Sequence, residues 1–293
     1  MASPGPGSPF FQTGPMAGCC QGRVTLEKQS LWLGGMRGAM RWLAFGFGAA
    51  TLLLFIYFLL GHFVSETPVT MHDMIRPQGK PAVQAMLFCL FATILFGTIY
   101  LSDFRGAIER EPEGFFDIVS LVCSRIAMVG TLLIVIAMFY EVVARYVFTA
   151  PTLWANELSL WIASFVFLLA GLYAMQQRSH IRIYVIYDLM PRWMRKTADV
   201  ISVLLIAGFT FTLIWGGYND ASVRLMRGET FGTAWDPPIP ATVKPAILFI
   251  ILLVTIQAVS NLIADWNKAP EHHSPMDEID EVEIENIRKT LKD

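Results

Sequence analysis

The chain has 293 residues, of which 54% are hydrophobic, 13% aromatic and only 16% charged, with a mean hydropathy of +0.50. Soluble domains carry about 25% charged residues, so this composition excludes an ordinary soluble globular domain. The formal net charge of -2 is gathered in short polar segments between long apolar ones, which is a membrane pattern, and no nucleic-acid partner is expected.

Residues 1–39 form a polar leader rich in Pro, Gly and Ser, expected to be cytoplasmic. Met16-Ala17-Gly18-Cys19 resembles the end of a lipoprotein signal, but no apolar stretch precedes it, so no cleaved signal is expected. Acylation of Cys19 or Cys20 has weak support. With Cys89 and Cys123 these cysteines make neither a disulfide framework nor a Cys-x-x-Cys motif.

Six stretches meet the length of roughly 20 mostly apolar residues that a spanning helix needs. The first pair, Met40–Phe63 and Ala82–Leu101, falls in a 40–115 segment that ends in a polar, acidic linker from Asp103 to Gly114. The third, Phe116–Phe148, runs without a breaker for on the order of 45 Å, longer than a bilayer is thick. It must tilt or project its Glu141/Arg145 end into the headgroups. Leu153–Met175 follows, then a basic stretch from Arg178 to Lys196 holding a short interfacial helix at Ile181–Met190. The last two spans are Thr197–Gly216 and Ala241–Ala264, joined by a polar loop with Trp235-Asp236-Pro237-Pro238.

The fold expected is an all-α integral membrane protein of about six transmembrane helices. Arg178, Arg182, Arg192, Arg195 and Lys196 crowd one connection and place it in the cytoplasm by the positive-inside rule. Both termini then face the cytoplasm. Residues 267–293 form an acidic tail in which Met276, Ile279, Val282, Ile284, Ile287 and Leu291 recur at nearly helical spacing. A docking helix and a frayed, solvated terminus both fit that pattern. No internal repeat is evident.

Catalytic chemistry finds little support. The five histidines do not assemble a metal or haem site, and there is no Gly-rich phosphate loop, His-Glu-x-x-His or Gly-x-Ser-x-Gly. No catalytic residue, cofactor or metal is therefore assigned. Arg125 lies about two turns inside the third span, where its long side chain is expected to snorkel to the headgroups; a buried pair with another chain is the other reading. Glu141 and Arg145 stand at i and i+4 and can satisfy each other on one helix face. Glu157 has no such local partner and can pair with Arg145 across the hairpin or with a group on another chain. These residues look like helix-to-helix fasteners.

The run Phe139-Tyr-Glu-Val-Val-Ala-Arg-Tyr-Val-Phe148, then Pro151-Thr-Leu-Trp154-Ala-Asn-Glu157-Leu-Ser-Leu-Trp161, Ala170-Gly-Leu-Tyr-Ala174 and Ser179-His180-Ile-Arg182 resembles the small membrane subunit (DctQ-like) of a tripartite ATP-independent periplasmic (TRAP) transporter. The likeness covers residues 116–266, a four-helix small-permease module to which the 40–115 segment adds two helices the family does not explain. The resemblance implies a bacterial inner-membrane protein that scaffolds a large permease subunit. That partner would carry the sodium sites, and a periplasmic substrate-binding protein would deliver a small organic acid. It further implies that Glu141, Arg145, Trp154, Asn156, Glu157 and His180 are candidates for partner or lipid contacts, and Arg125, read as snorkelling or as pairing with another chain, joins them. The alternative is a stand-alone membrane carrier or the membrane anchor subunit of another complex.

Overall fold

A computed structural model describes residues 30–64, 69–104, 109, 112, 114–178 and 191–266. Leader residues 1–29, His180 with the 181–190 segment, and the 267–293 tail lie outside the described residues. Regular structure is entirely helical among those described: α1 (Arg37–Val64), α2 (Met71–Ile75), α3 (Pro81–Ser102), α4 (Phe115–Tyr146), α5 (Ala155–Gln176), α6 (Arg192–Arg227) and α7 (Ile239–Asp265). All but α2 are long and apolar enough to cross a membrane, so the all-α, six-span architecture read from hydropathy is the one observed.

Local sequence explains some boundaries. Pro81 opens α3, where its missing N–H costs nothing. At the short α2, the Asp73 carboxylate accepts the Thr70 N–H at 2.8 Å and pairs with Lys80 at 2.8 Å. The start of α1 is capped from a distance. Asp103, just past the end of α3, accepts Ser30 Oγ at 3.0 Å and the Trp32 and Leu33 N–H groups at 3.0 and 3.1 Å. Arg37 approaches its other oxygen at 3.3 Å. A carboxylate at a helix N-terminus satisfies donors that have no partner in the helix and complements the helix dipole.

Helix α6 departs from the expected end at Gly216. It has 36 residues, about 54 Å at 1.5 Å per residue. The Gly216-Gly217 pair does not break it because α7 packs there: a Cβ on Gly217 would come within 3.2 Å of Leu248 Cδ2. Beyond the pair, Asp220 bonds Arg224 one turn later at 2.9 Å and also pairs with Lys244 of α7. The helix stops at Gly228, whose φ of +59° is left-handed and whose N–H returns to the Arg224 and Leu225 carbonyls.

The long helices pack in the order α1, α3, α4, α5, α7, α6, with α4 also touching α7. Helices α3, α4, α5 and α7 therefore form the inside, while α1 rests on α3 and α6 on α7 at the two edges. The spanning stretch of α1 holds no buried residue, and Trp42, Phe45, Phe211 and Trp215 stand exposed on the edge helices. That is the surface a bilayer covers. The helices alternate in direction, so the connections gather at two ends. The basal end carries the start of α1, the α3–α4 connection and Trp266. The distal end carries α2, the α4–α5 turn and the α6–α7 loop.

Candidate functional site

Polar side chains cluster at the two ends of the bundle and leave the middle apolar. Residues 42–61, 81–102, 126–140, 158–176, 200–219 and 245–264, the middles of the six long helices, contain no Asp, Glu, Lys, Arg or His. Polar contacts there are made by uncharged groups, such as Thr210 Oγ1 to Thr255 Oγ1 at 2.6 Å between α6 and α7, and nearer the distal end Trp161 Nε1 donates to Thr242 Oγ1 at 2.8 Å between α5 and α7.

At the distal end, Glu141 organises the α4–α5 turn. It is only 4% exposed and takes Arg145 Nε and Nη2 on one oxygen, at 2.9 and 2.5 Å. Its other oxygen accepts the Thr152 N–H at 2.9 Å and the Thr152 hydroxyl. The i,i+4 pairing of Glu141 with Arg145 is thus present, and the carboxylate also holds the far side of the turn. Half of the Arg145 side chain is exposed, so Arg145→Ala should cost about 0–1 kcal/mol. Glu141→Gln weakens the charge-assisted bonds by which one carboxylate holds both sides of the turn and should cost more than Arg145→Ala. Thermal unfolding of the two variants in detergent checks that ranking.

Trp154 stacks on Tyr140 across the same turn, with ring centroids 5.7 Å apart, while Asn156 is exposed. Glu157 does not meet Arg145. It accepts the Thr233 hydroxyl at 2.7 Å and so ties α5 to the α6–α7 loop. That loop is in turn held by α2: Trp235, 5% exposed, donates Nε1 to the Met71 carbonyl at 3.0 Å, and Arg76 bonds Asp236 at 2.8 Å. The N-terminal helix pair therefore clasps the C-terminal helices across the distal surface.

The Asp236 carboxylate lies outside the spans. The Gly232 N–H at 2.8 Å, then the Thr230 hydroxyl and Arg76, hold its pKa below the usual carboxylate range. A carboxylate depressed in the folded state stabilises the fold above its unfolded pKa of about 4. That contribution is lost as pH falls through the folded value. Acidification below about pH 4 should therefore loosen the clasp and shift Trp235 emission to the red, isolated as the difference from Trp235→Phe. Asp236→Asn should abolish that acid transition.

At the basal end Arg125 turns inward and does not snorkel. It is 8% exposed; Nη1 and Nη2 reach the two Glu109 oxygens at 2.8 and 2.6 Å, and Nη2 also donates to the Phe104 carbonyl at 2.8 Å. The Tyr173 hydroxyl donates to Glu109 at 2.9 Å. The physical reason is that a carboxylate within reach offers more than headgroups across a desolvated path. Nearby, Gln257 of α7 receives Ser120 Oγ at 3.1 Å and donates to Asp117 at 2.5 Å. Asn261, one turn on, donates to the Met175 carbonyl at 2.7 Å. Arg178 pairs with Asp265 at 2.5 Å, and Lys196 sits 4.6 Å over the Trp266 ring.

Sequence reasoning passed over Glu109, Tyr173, Gln257 and Asn261. For the last two a signal existed: polar amides at i and i+4 in an otherwise apolar span mark a face that meets other helices. The described residues contain no group of three His, Cys, Asp or Glu side chains placed to hold a metal ion.

Comparison with known proteins places the C-terminal half. Residues 134–268 match the family model of tripartite ATP-independent periplasmic transporters, DctQ component, a stretch that begins within α4 and covers α5, α6 and α7. A curated relative, the sialic acid TRAP transporter permease protein SiaT of Haemophilus influenzae (strain 86-028NP), is 32% identical over 166 residues. That alignment covers 47% of this chain and 27% of the relative, so the chain spans about a quarter of the relative's length. No solved structure matches.

Proposed function

We propose that this chain, DctQ-like over residues 134–268, is the small permease subunit of a TRAP transporter, which scaffolds a large permease subunit in a bacterial inner membrane. The complex takes up a small organic acid, delivered by a periplasmic substrate-binding protein and driven by sodium. Both termini and the basal end face the cytoplasm, and the distal clasp faces the binding protein's side. Membrane lipids cover the remaining apolar surface.

One observation carries the reading: a DctQ-like chain has six long helices whose middles contain no Asp, Glu, Lys, Arg or His. A translocation path normally places ionisable groups or broken helices at midplane. Here the charged groups sit near the helix ends and fasten helices to one another or to loops. Such a unit braces a moving partner, while the substrate and sodium sites belong to that partner.

The direct test is capture. The tagged chain, co-expressed with a candidate large TRAP permease subunit, should purify from mild detergent as a complex of fixed stoichiometry. Recovery of this chain alone, with the large subunit intact in the flow-through, would overturn the scaffold reading.

A further inference from the structure

The tie between Glu109 and the α4–α5 pair has the anatomy of a ligand in a binding site. Among the described residues, three donors from two helices converge on one carboxylate: Arg125 Nη1 and Nη2 reach separate oxygens at 2.8 and 2.6 Å, and Tyr173 donates its hydroxyl at 2.9 Å. The parallel fork is how arginine recognises carboxylate and phosphate oxygens in preference to other acceptors. The cradle also has support besides Glu109, because the Phe104 carbonyl accepts from Nη2 at 2.8 Å. Both charged side chains are largely out of contact with solvent, at 9% and 11% exposure, where such bonds are strong and an unpaired charge is costly. Glu109 is not part of either helix. It comes from the α3–α4 connection, 16 residues before Arg125, while Tyr173 lies one turn from the end of α5 at Gln176.

We propose that Arg125 and Tyr173 form an oxyanion site for carboxylates and phosphate oxygens. Glu109 is its internal ligand, latching the N-terminal helix pair onto α4 and α5 by a contact that a free oxyanion can replace. The site lies toward the basal end of the spans, so the same chemistry is offered by a soluble carboxylate and by the phosphate of an anionic lipid headgroup.

The experiment uses the full chain with Glu109→Ala, which empties the cradle. In uncharged detergent its unfolding temperature should fall by roughly 5–10 °C. Sodium formate should restore at least half of the loss along a saturable curve, while sodium chloride at equal ionic strength should not. The unsubstituted protein should not respond, nor should the double variant Glu109→Ala/Arg125→Gln. In nanodiscs, recovery in phosphatidylglycerol but not phosphatidylcholine, without formate, assigns the headgroup as the replacing ligand. Recovery with formate alone in both lipids assigns a soluble oxyanion. Should Glu109→Ala fail to fold, Glu109→Gln, which keeps the volume and removes the charge, is titrated in the same way. An unchanged unfolding temperature, or formate acting no better than chloride on the variant, overturns the proposal.

Discussion

Replacing Arg125 by Ala is expected to lower stability by about 3–5 kcal/mol, the largest effect of any single charge among the described residues. The guanidinium is 8% exposed and is the bidentate partner of a Glu109 carboxylate that is itself mostly buried. Removing it takes a bidentate cationic partner from a desolvated carboxylate and a donor from the Phe104 carbonyl. The cost comes from what is left behind more than from what the pair is worth. Arg125→Lys keeps a charge but not the fork and should recover only part of the loss. Arg76→Ala, which breaks a half-exposed distal pair, should cost about 0–1 kcal/mol. Thermal unfolding of the three variants in one detergent checks the order, and an Arg125→Ala protein as stable as Arg76→Ala would contradict the buried tie.

Gly130→Leu should be the most damaging apolar substitution. Helices α4 and α5 make the most extensive helix–helix contact among the described residues, and Gly130 is buried against α5. A Cβ there would lie 3.0 Å from Val166 Cγ2 and 3.2 Å from Ile162 Cγ2. Both neighbours are β-branched and have almost no alternative rotamer in a helix. A leucine must therefore move the helix axes, at a cost of about 3 kcal/mol, the upper end for overpacking. Alanine needs only a few tenths of an ångström, and its better helix propensity, by about 1 kcal/mol, offsets the crowding. Gly130→Ala should thus unfold close to the unsubstituted protein, while Gly130→Leu should unfold well below it. Equal unfolding temperatures for the two would mean that the helices do not meet there.

The six spans were legible because spanning helices need only length and apolar composition to be seen. Most observed boundaries fall within a few residues of the expected ones: Ala82–Leu101 against Pro81–Ser102, for instance. The distal third of α6 was not legible. Gly216-Gly217 and the polar run to Arg227 read as a loop on local propensity, and only contacts with α7, Leu248 on Gly217 and Lys244 on Asp220, explain why they stay helical. The same division runs through the polar residues. Glu141 with Arg145 follows from i,i+4 spacing within one helix. Arg125 with Glu109, Glu157 with Thr233 and Asp103 with the start of α1 join separate segments. Nothing in local spacing selects one distant partner among the many polar residues of a connecting loop.

The N-terminal helix pair is where structure adds most to the sequence reading. Asp103 ties the start of α1 to the end of α3 within it, and the pair is held to the other helices at the basal end by Glu109 in the Arg125–Tyr173 cradle and at the distal end by Trp235 and Asp236 against α2. Two separated attachment points restrain both sliding and pivoting of α1 and α3 relative to α4. In the proposed complex the pair would widen the scaffold on which a large subunit moves.

The central claim is that the chain supports transport without performing it. The most direct measurement is sodium-driven uptake of a panel of radiolabelled organic acids into proteoliposomes, comparing this chain alone with this chain plus a candidate large permease subunit and binding protein. The account predicts accumulation only with the complete set, and none with this chain alone at any sodium gradient. Uptake by this chain alone would contradict it.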